Sequence, residues 1–282
     1  MAGSERFRVA SVQLDIELGA TQRNLERLAE YTRRAANDEA RLVVFPECAL
    51  SGYLLDNLDE LERLAEPVPG PAIGRLAEVC AGRQVYTVVG LLEKGADAIY
   101  NSAVLVGPEG LIALYRKAHL PGLGLDRFVA HGNIPFAVHE TPVGRIGMAI
   151  CYDIRFPELY RQYHKLGARL LFHSFYNARQ KPGSIHPKIM PPTAQARAAT
   201  NNLFLSVNNS CAPNSWESLF VTPDGLIQER LVLDEPGVMI NLVDTGKRYY
   251  DASRAYRLDS INGKLNSGRT VDDPRSKDRR AY

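Results

Sequence analysis

Three residues far apart in the chain carry side chains that can work together on one carbon atom. Val43-Val44-Phe45-Pro46 leads into Glu47, Ala113-Leu114-Tyr115-Arg116 into Lys117, and Gly147-Met148-Ala149-Ile150 into Cys151. Each closes an apolar, strand-like run, and sites in layered α/β folds gather where strands give way to loops. A carboxylate, an ammonium and a thiol brought together this way would suit acyl transfer, with the thiol attacking, the carboxylate moving the proton and the ammonium holding the oxyanion. The residues after Cys151, Tyr152-Asp153-Ile154-Arg155-Phe156-Pro157-Glu158, turn a buried strand abruptly towards a helix. Free backbone N–H groups at such a turn favour a thiolate, and that of Tyr152 is the natural oxyanion donor. Taken singly, each residue has a plainer reading. Cys151 can be a small buried hydrophobe, Glu47 a loop carboxylate and Lys117 a solvated strand end.

A Cys–His pair is the rival arrangement, and it would need His119, His131, His139, His164, His173 or His186 beside Cys151. His164 falls on the following helix, facing away from the strand end. His173 ends a neighbouring strand and is expected to contact substrate, as are Tyr53, just after the base, and Asn177 in the loop that follows His173. No His-Glu-x-x-His, phosphate-loop or dinucleotide-binding glycine motif occurs, and no metal or organic cofactor is implied. Cys48, Cys80, Cys151 and Cys211 lie too far apart for paired zinc spacing, and a disulfide framework does not fit so long a chain. Asn208-Asn209-Ser210 formally matches a glycosylation acceptor, but it sits beside the apolar run Leu203-Phe204-Leu205.

The elements that must position these residues alternate. Phe7 to Leu14 reads as a strand, and from Thr21, taken as an N-cap, Leu25, Leu28, Ala29, Thr32 and Ala36 recur at helical spacing. Leu42 to Phe45 is a short buried strand, and Pro71 after Gly70 starts a helix. Val85 to Leu92, Ser102 to Val106 and Leu111 to Tyr115 follow as strands, the last two joined by a Gly107-Pro108-Glu109-Gly110 turn. Ile146 to Ile150 is a strand, and a helix runs from Pro157 to Gly167. Leu170 to Phe172 and Leu203 to Val207 bracket a helical stretch from Thr193 to Thr200. Around Pro223-Asp224-Gly225 the pattern is that of a hairpin. Hairpins mixed with β-α-β spacing predict an α/β fold with mixed sheets covered by helices.

The 282 residues are 45% hydrophobic and 23% charged, with a net charge of +2. That composition points to a soluble globular protein and gives no reason to expect nucleic acid or membrane as a partner. Without a signal-like start or a long apolar run, a cytoplasmic location is expected. One domain over 1–282 is predicted, with its core at about 7–244. Residues 245–282 form an extension that is either an oligomer arm or a solvated tail, the final ten or so favouring the tail.

Phe45-Pro46-Glu47, Tyr115-Arg116-Lys117-Ala118-His119-Leu120-Pro121 and Cys151-Tyr152-Asp153-Ile154-Arg155-Phe156-Pro157-Glu158 together resemble the nitrilase superfamily of carbon–nitrogen hydrolases. The likeness runs from about Phe7 to about Asp244, and Ala196-Arg197-Ala198 ahead of the strand ending Asn208-Asn209 extends it. It implies a four-layer α-β-β-α sandwich that assembles as a homodimer or higher oligomer. It also implies Glu47 as general base and acid, Lys117 as the cation at the tetrahedral intermediate and Cys151 as nucleophile. The family's fourth acid is commonly a glutamate shortly after the lysine. Here Asp126, one methylene shorter, is the nearest acid, and Ala199-Thr200-Asn201 departs from the Glu-Asn of many relatives. Residues after Cys151 look like those of the amidase branches, so the resemblance implies hydrolysis of a small linear carboxamide. N-carbamoyl amines and nitriles are the alternatives, and a catalytically silent binding or scaffold member is a reading of another class.

Overall fold

Alternation along the strands decides the layering. A computed structural model describes residues 6–177, 180–212, 214–253 and 256–264. Its β1 (Arg6–Gln13) sends Phe7 and Val9 to one face and Ala10 and Val12 to the other, all buried. Both faces of that strand are therefore covered.

The first sheet is built from β1, β2 (Ala40–Val44), β3 (Tyr86–Lys94), β4 (Ile99–Gly107), β5 (Gly110–Arg116) and, at its far edge beside β1, β12 (Gly237–Asp244). The second is built from β6 (His139–Thr141), β7 (Gly144–Ile150), β8 (Leu170–Ser174), β9 (Phe204–Asn208), β10 (Leu219–Val221) and β11 (Ile227–Arg230), in that order across the sheet. In each, three adjacent strands are parallel (β1, β2 and β3; β7, β8 and β9), and antiparallel strands flank them. Phe7, Leu42, Val88, Leu105, Met148, Phe172, Phe204 and Met239 fill the space between the sheets. Helices α1 (Thr21–Asn37) and α3 (Pro71–Arg83) cover the outer face of the first sheet, and α4 (Pro157–Lys165) and α5 (His186–Asn201) that of the second. This is the expected α-β-β-α sandwich of two mixed sheets. A short α2 (Leu58–Leu64) lies between α1 and α3 in sequence.

Three local details differ from the sequence reading. Thr21 is the first helical residue rather than the cap: Ala20 holds the cap position, and the Thr21 hydroxyl is buried without a partner. Helix α5 begins at His186, two turns before Thr193, because Pro187 sits in its first turn, where a missing N–H costs nothing, and the helix continues through Pro191 and Pro192. Strand β4 starts at Ile99 and so takes in Asn101.

Backbone geometry divides the chain into residues 1–251, which carry both sheets, and 252–282. The described part of the second unit contains α6 (Tyr256–Ile261). The expected tail over the final ten residues lies outside the described residues. No helix among the described residues is long and apolar enough to cross a membrane.

Candidate active site

All the chemistry-bearing strand ends meet at one rim of the sandwich. Glu47 follows β2 and Cys151 follows β7, both parallel strands, while Lys117 follows β5. The Glu47 segment crosses over to the second sheet: Glu47 N–H donates to Phe175 C=O at 3.2 Å, and Ser174 Oγ to Phe45 C=O at 2.8 Å. It can lie this close to β3 because residue 90 is glycine; a Cβ there would fall 2.5 Å from Cys48 N and 2.7 Å from Pro46 O.

The side chains of Glu47, Lys117 and Asp126 are all fully buried. Lys117 Nζ donates to Glu47 Oε1 at 2.7 Å and to Asp126 Oδ2 at 2.5 Å. Asp126 arrives on a 3-10 turn, Gly124–Arg127. Its Oδ2 also accepts from Tyr53 Oη at 2.9 Å. Tyr53 lies with its ring 5.4 Å from Lys117 Nζ and stacks on Tyr176, closing the ammonium off from solvent. Glu47 Oε2 accepts from the Tyr176 backbone N–H at 2.8 Å. Lys117 keeps a third N–H with no acceptor among the described residues.

The Cys151 thiol lies near enough to the Glu47 carboxylate for that charge to act on it, and Cys151 sits at φ +44°, a left-handed conformation at the first residue of the 3-10 turn Cys151–Arg155. Such a geometry costs about 1 kcal/mol in a non-glycine residue and aims the side chain out of the strand line. The Tyr152 N–H lies in the first turn of this segment, where helical N–H groups have no intrahelical acceptor. Asp153, wholly buried, fixes the turn. Its carboxylate accepts from Ile150 N–H at 3.0 Å, Tyr115 Oη at 2.7 Å and His119 N–H at 3.1 Å, and pairs with His119 Nδ1 at 2.7 Å. The segment that carries Lys117 is thus tied to the turn that carries Cys151.

Burial raises the pKa of Glu47, with Lys117 pulling it back and Asp126 pushing it further up. Burial by itself would lower Lys117, but the charges of Glu47 and Asp126, joined by that of Cys151 when it ionises, outweigh it and hold the ammonium well above its usual range. Cys151 is raised by burial and then by the Glu47 charge, so at rest it is a thiol awaiting a base. Burial and the same carboxylates keep Tyr53 a neutral phenol.

A cavity of about 370 Å³ opens over Cys151, walled by Tyr53, Tyr152, Arg155, Tyr176, Asn177 and His186 among others. Tyr53 and Asn177 line it, and the Tyr53 hydroxyl donates to Asp126 and to the Leu123 carbonyl. His173 does not line it. Strand alternation turns this side chain to the helix side, where it contacts Tyr160 Oη at 2.5 Å and stacks on Phe175. Burial lowers its pKa to about 3, so it stays neutral. The histidine in the wall is His186, whose Nδ1 lies 3.0 Å from Ser184 Oγ. Among the described residues no set of His, Cys, Asp and Glu side chains is arranged to hold a metal. Sequence reading gave no role to Asp153 and Arg155, which lie inside the motif that begins at Cys151, or to Asn101, which lies outside every motif.

The carbon–nitrogen hydrolase family model matches residues 8–249. The chain belongs to that family. It is 32% identical over 272 residues to an (R)-stereoselective amidase of Pseudomonas sp., covering 89% of this chain and 92% of the relative. It is 29% identical over 230 residues to an omega-amidase of Homo sapiens, covering 74% and 82%. In fold it is similar to Nit3 of Saccharomyces cerevisiae, a nitrilase-superfamily member, with a TM-score of 0.74 at 22% identity over 94% of this chain and 96% of the other. The chain is a carbon–nitrogen hydrolase of the amidase-like branch.

Proposed function

We propose that this hydrolase cleaves a small linear carboxamide to a carboxylic acid and ammonia through a thioester on Cys151. The observation that carries this reading is the convergence on one carboxylate, Glu47, of the Lys117 ammonium hydrogen-bonded to it and of the Cys151 thiol on which its charge acts, with Glu47 and Lys117 buried beneath the cavity that Cys151 lines. Glu47 takes the thiol proton as sulfur attacks the amide carbon. Oxyanion charge is met by the third Lys117 N–H and the Tyr152 backbone N–H. Glu47 then protonates the departing nitrogen, releasing ammonia, and activates the water that frees the acid. Asp126 holds Lys117 from the far side, which supports giving it the role of the fourth acid.

The cavity wall narrows the substrate. Arg155 is exposed to the cavity and has no ion-pair partner among the described residues, and no Asp or Glu lines the space. A substrate bearing a carboxylate at the end remote from its amide suits that wall, and the omega-amidase relative supports the choice. N-carbamoyl amines rank next, and nitriles after them. The protein acts as a homo-oligomer on a small molecule, without nucleic acid or membrane.

The test is ammonia release from a panel of ω-amides of dicarboxylic acids, neutral aliphatic amides, N-carbamoyl amines and nitriles. Turnover is expected to be fastest with the ω-amides and absent in Cys151→Ala. Activity that survives that substitution would refute the mechanism, and silence across the panel would favour a binding or scaffold role. Arg155→Ala separates the substrate class from the mechanism, because it should raise KM for ω-amides while leaving neutral amides unaffected.

A further inference from the structure

Asn101, near the start of β4, reaches both acids of the site. Its Nδ2 donates one hydrogen to Glu47 Oε1 at 2.8 Å and the other to Asp126 Oδ1 at 3.0 Å. Its Oδ1 accepts from Cys48 Sγ at 3.6 Å, and its backbone carbonyl accepts from Lys117 N–H at 2.8 Å. The amide has one workable orientation, since flipped it would set its oxygen against two carboxylate oxygens. Lys117 Nζ joins the same two carboxylates from the other side. Lys117, Glu47, Asn101 and Asp126 therefore close a ring of hydrogen bonds in which Lys117 and Asn101 each donate to both carboxylates.

The ring answers a charge problem. Two carboxylates and one ammonium share a dry space, and a like charge beside Glu47 favours its protonated form, which cannot take a proton from the thiol. Glu47 faces Lys117 from the segment after β5, Asp126 from its 3-10 turn, Cys151 from the turn after β7, and Cys48 and Tyr53 from its own loop. Against these, Asn101 and the Tyr176 backbone add donors that have no proton to lose.

We propose that Asn101 is a positioning residue that keeps Glu47 ionised and aimed at the Cys151 thiol by dividing its amide between the two carboxylates. This rests on the reading of Glu47 as the base for Cys151, and its test does not need turnover. The probe is iodoacetamide, with the mass of the Cys151 peptide giving the alkylation rate across pH for wild type, Asn101→Ala and Asn101→Ser. The thiol loses its proton when Glu47 is ionised to take it, so the acid limb of this profile reports Glu47. In Asn101→Ala the limb should move up by about one pH unit, the worth of a hydrogen bond to a charged group. Asn101→Ser, with one hydroxyl donor, should fall between. A limb that stays at the wild-type position in the folded variants, with the rate merely scaled down, would overturn the proposal. If Asn101→Ala does not fold, Asn101→Ser decides by the same two outcomes. A wild type that alkylates with a clear limb yet releases no ammonia would count against the proposed function, not against Asn101.

Discussion

A carboxylate that must take a proton from a thiol works only while it is ionised. Burial raises Glu47 above 4.5, so the acid limb of kcat/KM should lie above that value, with activity falling as pH drops through the raised pKa. A limb at or below 4.5 would mean that Glu47 is not the group being titrated. The same shift acts on stability in the opposite direction. The proton binds more tightly in the folded state, so the contribution of Glu47 to stability is largest at low pH and declines as pH rises from its unfolded to its folded pKa. Glu47→Gln keeps the shape and loses the proton shuttle. Its kcat is expected to fall by at least about 10³-fold with unfolding unchanged or more favourable to the native state at neutral pH. A modest loss in kcat would return the proton transfer to some other group.

Among the elements, the junction of β5 and β7 matters most, and Asp153 hydrogen-bonds to the ends of both. Asp153→Ala leaves the Tyr115 hydroxyl and two N–H groups unpaired and should cost about 3 kcal/mol in denaturant unfolding, with kcat reduced because Lys117 and Cys151 lose their common anchor. A change under about 0.5 kcal/mol would show that backbone pairing suffices. This scale is also where the sequence was most and least legible. Strand ends at Glu47, Lys117 and Cys151 could be read because a run of buried β-branched and aliphatic residues stops abruptly at each. Helix α5 was cut short because three prolines look like breakers, although one sits in the first turn and the later two are carried by the packed helix. Asn101 was missed because an amide near a strand start looks like a solvated end, and only the tertiary fold shows two acids facing it. His173 was misplaced for a related reason: strand position gives the address, and the face is set by packing.

At the scale of the whole molecule, the two sheets are joined by polar groups near the site as well as by the apolar layer. Ser11 Oγ meets Ser206 Oγ at 2.7 Å, and Asn208 Nδ2 donates to Val44 C=O at 3.0 Å. Behind them His173 sets a global pH response. The unfolded chain gains a proton on this residue below about 6.5, whereas the folded one resists until about 3, so stability falls as pH drops across that window. His173→Phe should lower stability at neutral pH, because Tyr160 loses its partner, and should flatten the decline between about pH 7 and 4. Denaturant unfolding at several pH values measures both, and an unchanged slope would contradict the neutral, buried assignment. The proposed catalysis depends on a covalent bond at one sulfur, that of Cys151. Rapid mixing with an ω-amide, acid quench and peptide mass mapping should find the substrate's acyl group, less ammonia, on Cys151 within the first turnover. Ammonia released at the full rate with Cys151 never modified, or with the acyl group on another side chain, would contradict it.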